Sequence, residues 1–280
     1  MGLGEGALLG LIQGLTEFLP ISSSAHLAIV GTLLGSDDPG AAFTAISQLG
    51  TEAAVVLYFR RDIARIVSRW VLALAGRVPR SDPDVRMGWL VIVGSLPIVV
   101  LGLLFQDQIE TVLRGFAVIA TTLWVFALLL GAADRFGRKE RTLDRLTWGH
   151  GLLFGLAQSL ALVPGVSRSG GTITMGLLLG YTREAAARYS FLLAIPAVVG
   201  SGLFQLYDEL SAGAQVSWPA TVLATAVAFG VGYAVIAWLM RYISTHSYTV
   251  FVGYRIALAV LVYALVAAGA LPAFNGTDFG

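Results

Sequence analysis

Of the 280 residues, 56% are hydrophobic and only 12% charged, about half the charge of an ordinary soluble domain, and the mean hydropathy is +0.78. The net charge of +1 points to no nucleic-acid partner, and the lack of cysteine excludes disulfides, thiolate metal sites and cysteine nucleophiles. The composition is that of an all-α polytopic membrane protein, with 1–280 forming a single integral membrane domain.

The first apolar region, 5–34, has no basic stretch or small-residue cleavage site at its start and is expected to be mature structure. It is broken in the middle by the polar knot EFLPISSSAH (17–26). Each half is too short for the ~20 residues a helix needs to cross the hydrocarbon, so the region reads as a re-entrant helical hairpin. Next come a candidate span at 41–59, a segment with Arg60, Arg61, Arg65, Arg69, Arg77, Arg80 and Arg86, and spans at 87–106 and 115–133. The segment 60–86 reads as a solvated or headgroup-contacting face. The connection 134–148 is basic again, with Arg135, Arg138, Lys139, Arg141 and Arg145. A second broken region, 149–180, reads as a second re-entrant hairpin and precedes spans at 189–207, 219–240 and 249–271. The plan is six transmembrane helices and two hairpins.

The halves are related. GLIQGLTEFL (10–19) aligns with GLLFGLAQSL (151–160), and each is followed by a proline and a serine-rich turn, PISSSAH or PGVSRSGG. A hairpin plus three spans, repeated as 1–135 and 146–272, makes the second copy inverted relative to the first. The positive-inside rule places 60–86, 134–148 and 241–248 in the cytoplasm. The N-terminus, 107–114, 208–218 and the C-terminus then lie outside. The hairpin tips should meet near the midplane, the geometry of an inverted-repeat membrane site.

At that meeting point the second half-helices open after serines, near Ser22, Ser23 and Ser24 and just after Ser167 and Arg168. Two helix N-termini aimed at one point suit an anion, and the arginine fork matches phosphate oxygens. Glu17, a serine hydroxyl, His26 and Arg168 are the set that nucleophilic attack on phosphate needs. Blander roles exist: serine caps helices and packs between them, and Glu17 and Arg168 could simply neutralise each other. Glu52 falls in a span and could pair with an arginine, with Gln48 and Thr51 lining the same cavity. Arg255 is expected to snorkel to the cytoplasmic face. Gly10, Gly14, Gly151 and Gly155 should permit close helix packing, and His150 and His246 show no metal-ligand spacing.

GLTEFLPISSSAHL and PGVSRSGGTIT resemble the two signature regions of the undecaprenyl-diphosphate phosphatase family of the bacitracin-resistance type. QLGTEAAVVLYFRRD and PIVVLGLLF extend the likeness over nearly the whole chain. The resemblance implies a bacterial inner-membrane enzyme that removes the terminal phosphate of undecaprenyl diphosphate, yielding the carrier lipid used in cell-wall polymer export. The family's acid pair falls on Gln13 and Glu17, its serine turn and histidine on Ser22, Ser23, Ser24 and His26. Its second motif falls on Pro164, Gly165, Ser167, Arg168, Ser169, Gly170 and Thr172. Gln13 stands where many relatives have Glu, leaving one carboxylate fewer for a divalent cation, and Ser24 and Ala25 replace a common Thr-Gly pair. The family's dependence on Mg²⁺ or Ca²⁺ implies a cation bridging Glu17 and the diphosphate.

The expected mechanism has Ser23 as nucleophile and His26 as base and then acid, with Glu17 orienting it or holding the metal. Arg168, Ser167 and Thr172 are expected to hold the phosphate oxygens, and Gln13, Ser22, Ser24, Ser169 and Gly170 to complete the substrate site. His26 as nucleophile, with Ser23 as a phosphate ligand, is the alternative. The site should open outward, with the polyprenyl tail between helices facing lipid. A transporter or flippase of a phosphorylated lipid or anion, built on the same architecture, is the rival, and the oligomeric state is left open.

Overall fold

The computed structural model describes residues 2–33, 41–105, 108–109, 112–211 and 217–274. Its principal helices are α1 (Leu3–Thr16), α2 (Ser23–Leu33), α3 (Ala41–Tyr58), α4 (Arg60–Leu74), α5 (Pro83–Leu104) and α6 (Phe116–Phe136). They continue as α7 (Trp148–Ser159), α8 (Arg168–Leu178), α9 (Arg183–Ser211), α10 (Trp218–Ile243) and α11 (Thr249–Ala267). Among the described residues there is no strand beyond an isolated bridge between Arg141 and Tyr181.

Among the described residues, five helical stretches are long and apolar enough to cross a membrane: Pro83–Leu104, Phe116–Phe136, Arg183–Tyr207, Trp218–Ile243 and Thr249–Ala267. The other expected span, 41–59, forms α3, which carries Ser47, Gln48, Thr51 and Glu52 and is not among the five. Parts of the expected outer connections 107–114 and 208–218, and of the C-terminal 272–280, lie outside the described residues. The arginine-rich 60–86 segment contains α4, whose Arg60, Arg61, Arg65 and Arg69 share the helix with exposed Val67, Val71 and Leu74. Arg69 reaches Asp82, the N-cap of α5, at 2.7 Å, which fixes the turn between α4 and α5.

Both broken regions are short helices. At 1.5 Å per residue α1, α2, α7 and α8 measure about 21, 16, 18 and 16 Å, short of the ~30 Å hydrocarbon core. Each break has a local cause. After α1 comes Pro20, which has no N–H to donate, and then Ser22 in the left-handed region at φ 73°. After α7 come Pro164, Gly165 at φ 93° and Ser167 at φ 70°. The two breaks are therefore built alike, with a left-handed serine immediately before the next helix.

Packing also follows the repeat. α1 lies along α10 and α7 lies along α5, so the first helix of each broken region packs on a helix of the other half. These approaches are backbone to backbone. A Cβ at Gly10 would sit 2.4 Å from the carbonyl oxygen of Ala224, and one at Gly155 would sit 2.2 Å from that of Gly94. α6 pairs with α11, α3 packs on α9 and α10, and α8 is held among α6, α7 and α9. The largest apolar cluster gathers around the first tip, where Phe18 and Ile21 meet Ile173 of α8, Phe191 of α9 and Ile236 of α10.

The α7–α5 approach yields a prediction. Gly155→Ala must push two backbones apart and should cost about 1–3 kcal/mol, read as a lowered thermal midpoint in detergent. Gly149→Ala, where a Cβ meets nothing within 4 Å, should leave the midpoint unchanged or slightly raised. Equal midpoints for the two variants would refute the tight α5–α7 seam.

Candidate functional site

The first tip ends α1 at Thr16, so Glu17, its C-cap, follows directly into the turn. The Glu17 carboxylate is the junction of the site. Its Oε1 accepts from Arg168 Nη2 at 2.6 Å, and its Oε2 accepts from Ser23 Oγ at 2.7 Å and Gln13 Nε2 at 2.8 Å. Ser23 and Arg168 are the first residues of α2 and α8. One carboxylate thus joins the opening residues of both half-helices, and the expected meeting of the tips is realised in these contacts.

The serines before those helices act as caps. Ser22 Oγ accepts from the N–H of Ala25 at 3.4 Å, and Ser167 Oγ accepts from that of Gly170 at 3.1 Å. Each also lies beside a second serine hydroxyl, Ser24 at 3.1 Å and Ser169 at 3.2 Å. A left-handed serine costs roughly 1–2 kcal/mol, and this pairing of caps offsets part of it. Ser169 Oγ reaches across to the carbonyl of Leu19 at 3.1 Å, a further link between the tips.

Other expected site residues are placed differently. Thr172 is fully buried, donates to the carbonyl of its own Arg168 at 2.8 Å and pairs with Ser190 of α9, so its hydroxyl faces a helix interface. Gly170 lets a guanidinium pass, since a Cβ there would lie 2.8 Å from Arg255 Nη1. His26 is not turned to Ser23. Its Nδ1 pairs with the carbonyl of Ser22 at 2.7 Å and its Nε2 with the hydroxyl of Tyr254 at 2.6 Å, the two rings stacked. A carbonyl can only accept, so Nδ1 carries the proton and Nε2 receives the tyrosine O–H. The helical spacing of Ser23 and His26 is as expected, but Glu17 lies closer in the turn and takes the serine hydroxyl.

Arg255 corrects the snorkelling expectation. It is fully buried, with Nη1 donating to Pro20 O at 3.0 Å and Val166 O at 3.1 Å, and Nη2 to Gly165 O at 2.8 Å. The broken segments leave carbonyls without helical partners, and in an apolar interior these draw the guanidinium inward. Arg255 straps the two tips together from behind. Sequence reading missed both this strut and Tyr254. The available signal was an arginine well inside an apolar run, since such residues usually face the interior.

Glu52 is 1% exposed, and its Oε2 stands 3.9 Å from Arg168 Nη2. Neither of its oxygens has a hydrogen-bond partner, nor does Gln13 Oε1, nor Arg168 Nη1. Thr51 bonds to the carbonyl of Gln48 at 2.8 Å within its own helix, and neither residue joins this cluster through a hydrogen bond. The site thus holds spare hard-oxygen acceptors, which suit a divalent cation, and a spare buried N–H donor, which suits an anion. Among the described residues no three His, Cys, Asp or Glu side chains gather as a ready metal cage. A cavity of about 460 Å³ lies elsewhere, among α4, α5 and α9, lined by Asp62, Arg65, Arg86 and Arg188. At the tips a hydroxyl, a carboxylate and an unsatisfied guanidinium converge, whereas charges lining that cavity, Asp62 with Arg65 and Arg188, pair with one another.

Comparison with known proteins bears on the same residues. The family model of the bacitracin resistance protein BacA matches residues 6–261. A protein of Kineococcus radiotolerans named undecaprenyl-diphosphatase is 79% identical over 277 residues, covering 99% of this chain and 98% of its own length. Proteins of the same name from Pseudarthrobacter chlorophenolicus and Micrococcus luteus are 64% and 62% identical, each over 96% of this chain and 99% of its own.

The strut is testable through stability. Arg255→Lys keeps the charge but loses the fork that spans carbonyls of both tips, and should cost about 1–3 kcal/mol for the acceptors left bare. Thermal unfolding in detergent should show a clearly lowered midpoint, while Arg241→Lys, on the exposed end of α10, should show none. An unshifted midpoint for Arg255→Lys would mean the tips hold together without it.

Proposed function

The chain belongs to the bacitracin resistance protein BacA family, and from that premise we infer its reaction: hydrolysis of undecaprenyl diphosphate to undecaprenyl phosphate and inorganic phosphate. It is an integral membrane enzyme acting on a lipid. The observation that carries the reading is Glu17 gripping Ser23 and Arg168 at once, with Arg168 Nη1 buried and lacking an acceptor. A phosphate oxygen supplies the acceptor that Arg168 Nη1 lacks. The name shared by the relatives also favours hydrolysis over movement of an intact lipid.

In the mechanism we propose, Ser23 Oγ attacks the terminal phosphorus and its proton passes to Glu17 Oε2. The bond from phosphorus to the bridging oxygen breaks, and undecaprenyl phosphate leaves with the electron pair. Arg168 and the free N–H groups at the starts of α2 and α8 hold the equatorial oxygens as charge spreads over them. Water then attacks the phosphoserine phosphorus, the bond to Ser23 Oγ breaks, Glu17 returns its proton to that oxygen, and inorganic phosphate leaves. His26 is suited to deprotonate the water, because its Nε2 lone pair is held only by the half-exposed Tyr254. Ser22, Ser24, Ser167 and Ser169 set the caps, while Gly170 and Thr172 set the shape of α8. A divalent cation, Mg²⁺ or Ca²⁺, held at Glu17 would neutralise phosphate charge when bound.

The membrane arrangement we propose has six crossings and two opposed re-entrant hairpins in an inverted repeat. It is supported by the short paired half-helices, the matched left-handed serines and the exchanged packing of α1 on α10 and α7 on α5. The distribution of arginine and lysine between the connections supports a site open to the outer side of a bacterial plasma membrane, and in this reading the tail lies between helices facing lipid.

Three experiments test these readings. Phosphate release from undecaprenyl diphosphate should be abolished by Ser23→Ala and cut at least ~10²-fold by Glu17→Gln and by Arg168→Lys, whereas Ser22→Ala and Ser24→Ala keep a measurable rate. Rapid-quench mass spectrometry should find phosphate on Ser23. Phosphate trapped on His26, or a Ser23→Ala enzyme with substantial turnover, would make the histidine the nucleophile. Separately, cysteines replacing Leu3 or Phe274 should react with an impermeant thiol reagent in intact cells, and one replacing Arg80 should not. Labelling at position 80 from outside would overturn the topology.

A further inference from the structure

We propose that Glu52 supplies the second carboxylate of a divalent-cation site, formed with Glu17 and the side-chain oxygen of Gln13. The proposal rests on the phosphatase reading only for the reason a cation is wanted; the site itself is argued from the atoms present.

Position 13 holds an amide, so the last turn of α1 and its cap bring a single carboxylate, Glu17, to the first tip. The lost charge is present nearby on another helix. Glu52 comes from α3, is 1% exposed, and points to the guanidinium that Glu17 also holds, the two acids lying 3.9 and 2.6 Å from the same Arg168 nitrogen. A carboxylate buried with no donor on either oxygen is expensive, by several kcal/mol for an unpaired ion. Arg168 relieves it only in part, attracting Glu52 from 3.9 Å without a hydrogen bond while its closest contact is spent on Glu17.

The unsatisfied atoms have the chemistry of a ligand set. Both Glu52 oxygens and Gln13 Oε1 are buried acceptors without donors. Glu17 Oε2 is saturated by Ser23 and Gln13, but Oε1 accepts only from Arg168 and keeps a lone pair. Carboxylate and amide oxygens suit a hard cation of the Mg²⁺ or Mn²⁺ type, with water or substrate oxygens filling the remaining positions. A thiol or imidazole metal is not favoured, since His26 is committed to Ser22 and Tyr254.

Charge balance points the same way. With both acids ionised, Glu17, Glu52 and Arg168 sum to −1, which repels an incoming diphosphate. A divalent cation converts the cluster to +1 and satisfies the bare oxygens at once. Glu52 then does for this chain what a second acid on α1 would do, from a neighbouring helix.

The test is cation binding, read without turnover. Mn²⁺ titrated into the purified full-length protein in detergent, followed by electron paramagnetic resonance, should show one site. Glu52→Gln, nearly isosteric, should weaken Mn²⁺ at least ~10-fold with the thermal midpoint kept, while Glu140→Gln on the exposed surface should not. Mn²⁺ binding equal to wild type in a folded Glu52→Gln protein would overturn the proposal, as would a wild-type protein that releases phosphate yet binds no Mn²⁺. Should Glu52→Gln fail to fold, Gln13→Glu decides: a third carboxylate on the same ion must tighten Mn²⁺ severalfold, and unchanged affinity would overturn it. A protein that binds Mn²⁺ as expected but releases no phosphate would refute the phosphatase reading and leave the cation site standing.

Discussion

The structure turns on one carboxylate shared between two helix openings. Glu17 accepts from the first residue of α2 and from the first residue of α8, segments separated by 151 positions along the chain in the Arg168 contact. Breaking a buried ion pair typically costs 3–5 kcal/mol, because the partner is left uncompensated. That penalty keeps both tips facing one another and keeps a hydroxyl, an acid and a guanidinium within hydrogen-bonding distance. The glycine contacts of α1 on α10 and α7 on α5 are needed for the same end, since short helices reach a common point only if their backbones pack closely.

The two tips share a scaffold and divide the chemistry. Both have a left-handed serine cap, a second serine two residues later and a hydrogen bond from the third N–H onward. At the matched positions the side chains diverge. Where the first tip opens α2 with Ser23, the second opens α8 with Arg168. Where α1 ends beside Glu17, the aligned residue of α7 is Gln158, buried with both polar atoms unpartnered. One tip supplies a hydroxyl and an acid, and the other supplies positive charge.

This division explains what the sequence made legible. The breaks were readable because proline and serine interrupt runs that would otherwise span, and the pairing of GLIQGLTEFL with GLLFGLAQSL made the repeat visible. The grouping of Glu17, Ser23, His26 and Arg168 followed from a physical expense: polar groups in an apolar chain need partners. The partners themselves were not legible. Whether the Ser23 hydroxyl turns to His26 or to Glu17 depends on the turn at 17–22, whose left-handed Ser22 no spacing rule gives. Arg255 was misread for a similar reason, since its distance from the end of α11 allowed snorkelling, and only the unpaired carbonyls of Pro20, Gly165 and Val166 draw it inward. Glu52 could be read as a buried acid, but its proximity to Arg168 arises from α3 packing against α9 and α10.

α11 links these parts. Successive helical residues point about 100° apart, so Tyr254 and Arg255 address different targets from one backbone. Tyr254 holds the imidazole of His26 at 2.6 Å, while Arg255 holds carbonyls of both tips. A displacement of α11 would therefore loosen the imidazole and separate the tips together, and a displacement of either tip would be felt at the tyrosine. α6, packed on α11, reinforces this through Thr122, which donates to the carbonyl of Pro164 at 2.7 Å, while Arg255 Nε reaches Leu123 O at 3.2 Å. The pair α6–α11 thus acts as a back wall against which both broken segments are fixed. Glu17 joins the same two segments through the side chains of Ser23 and Arg168, so a carboxylate and a guanidinium hold the tips by separate sets of hydrogen bonds.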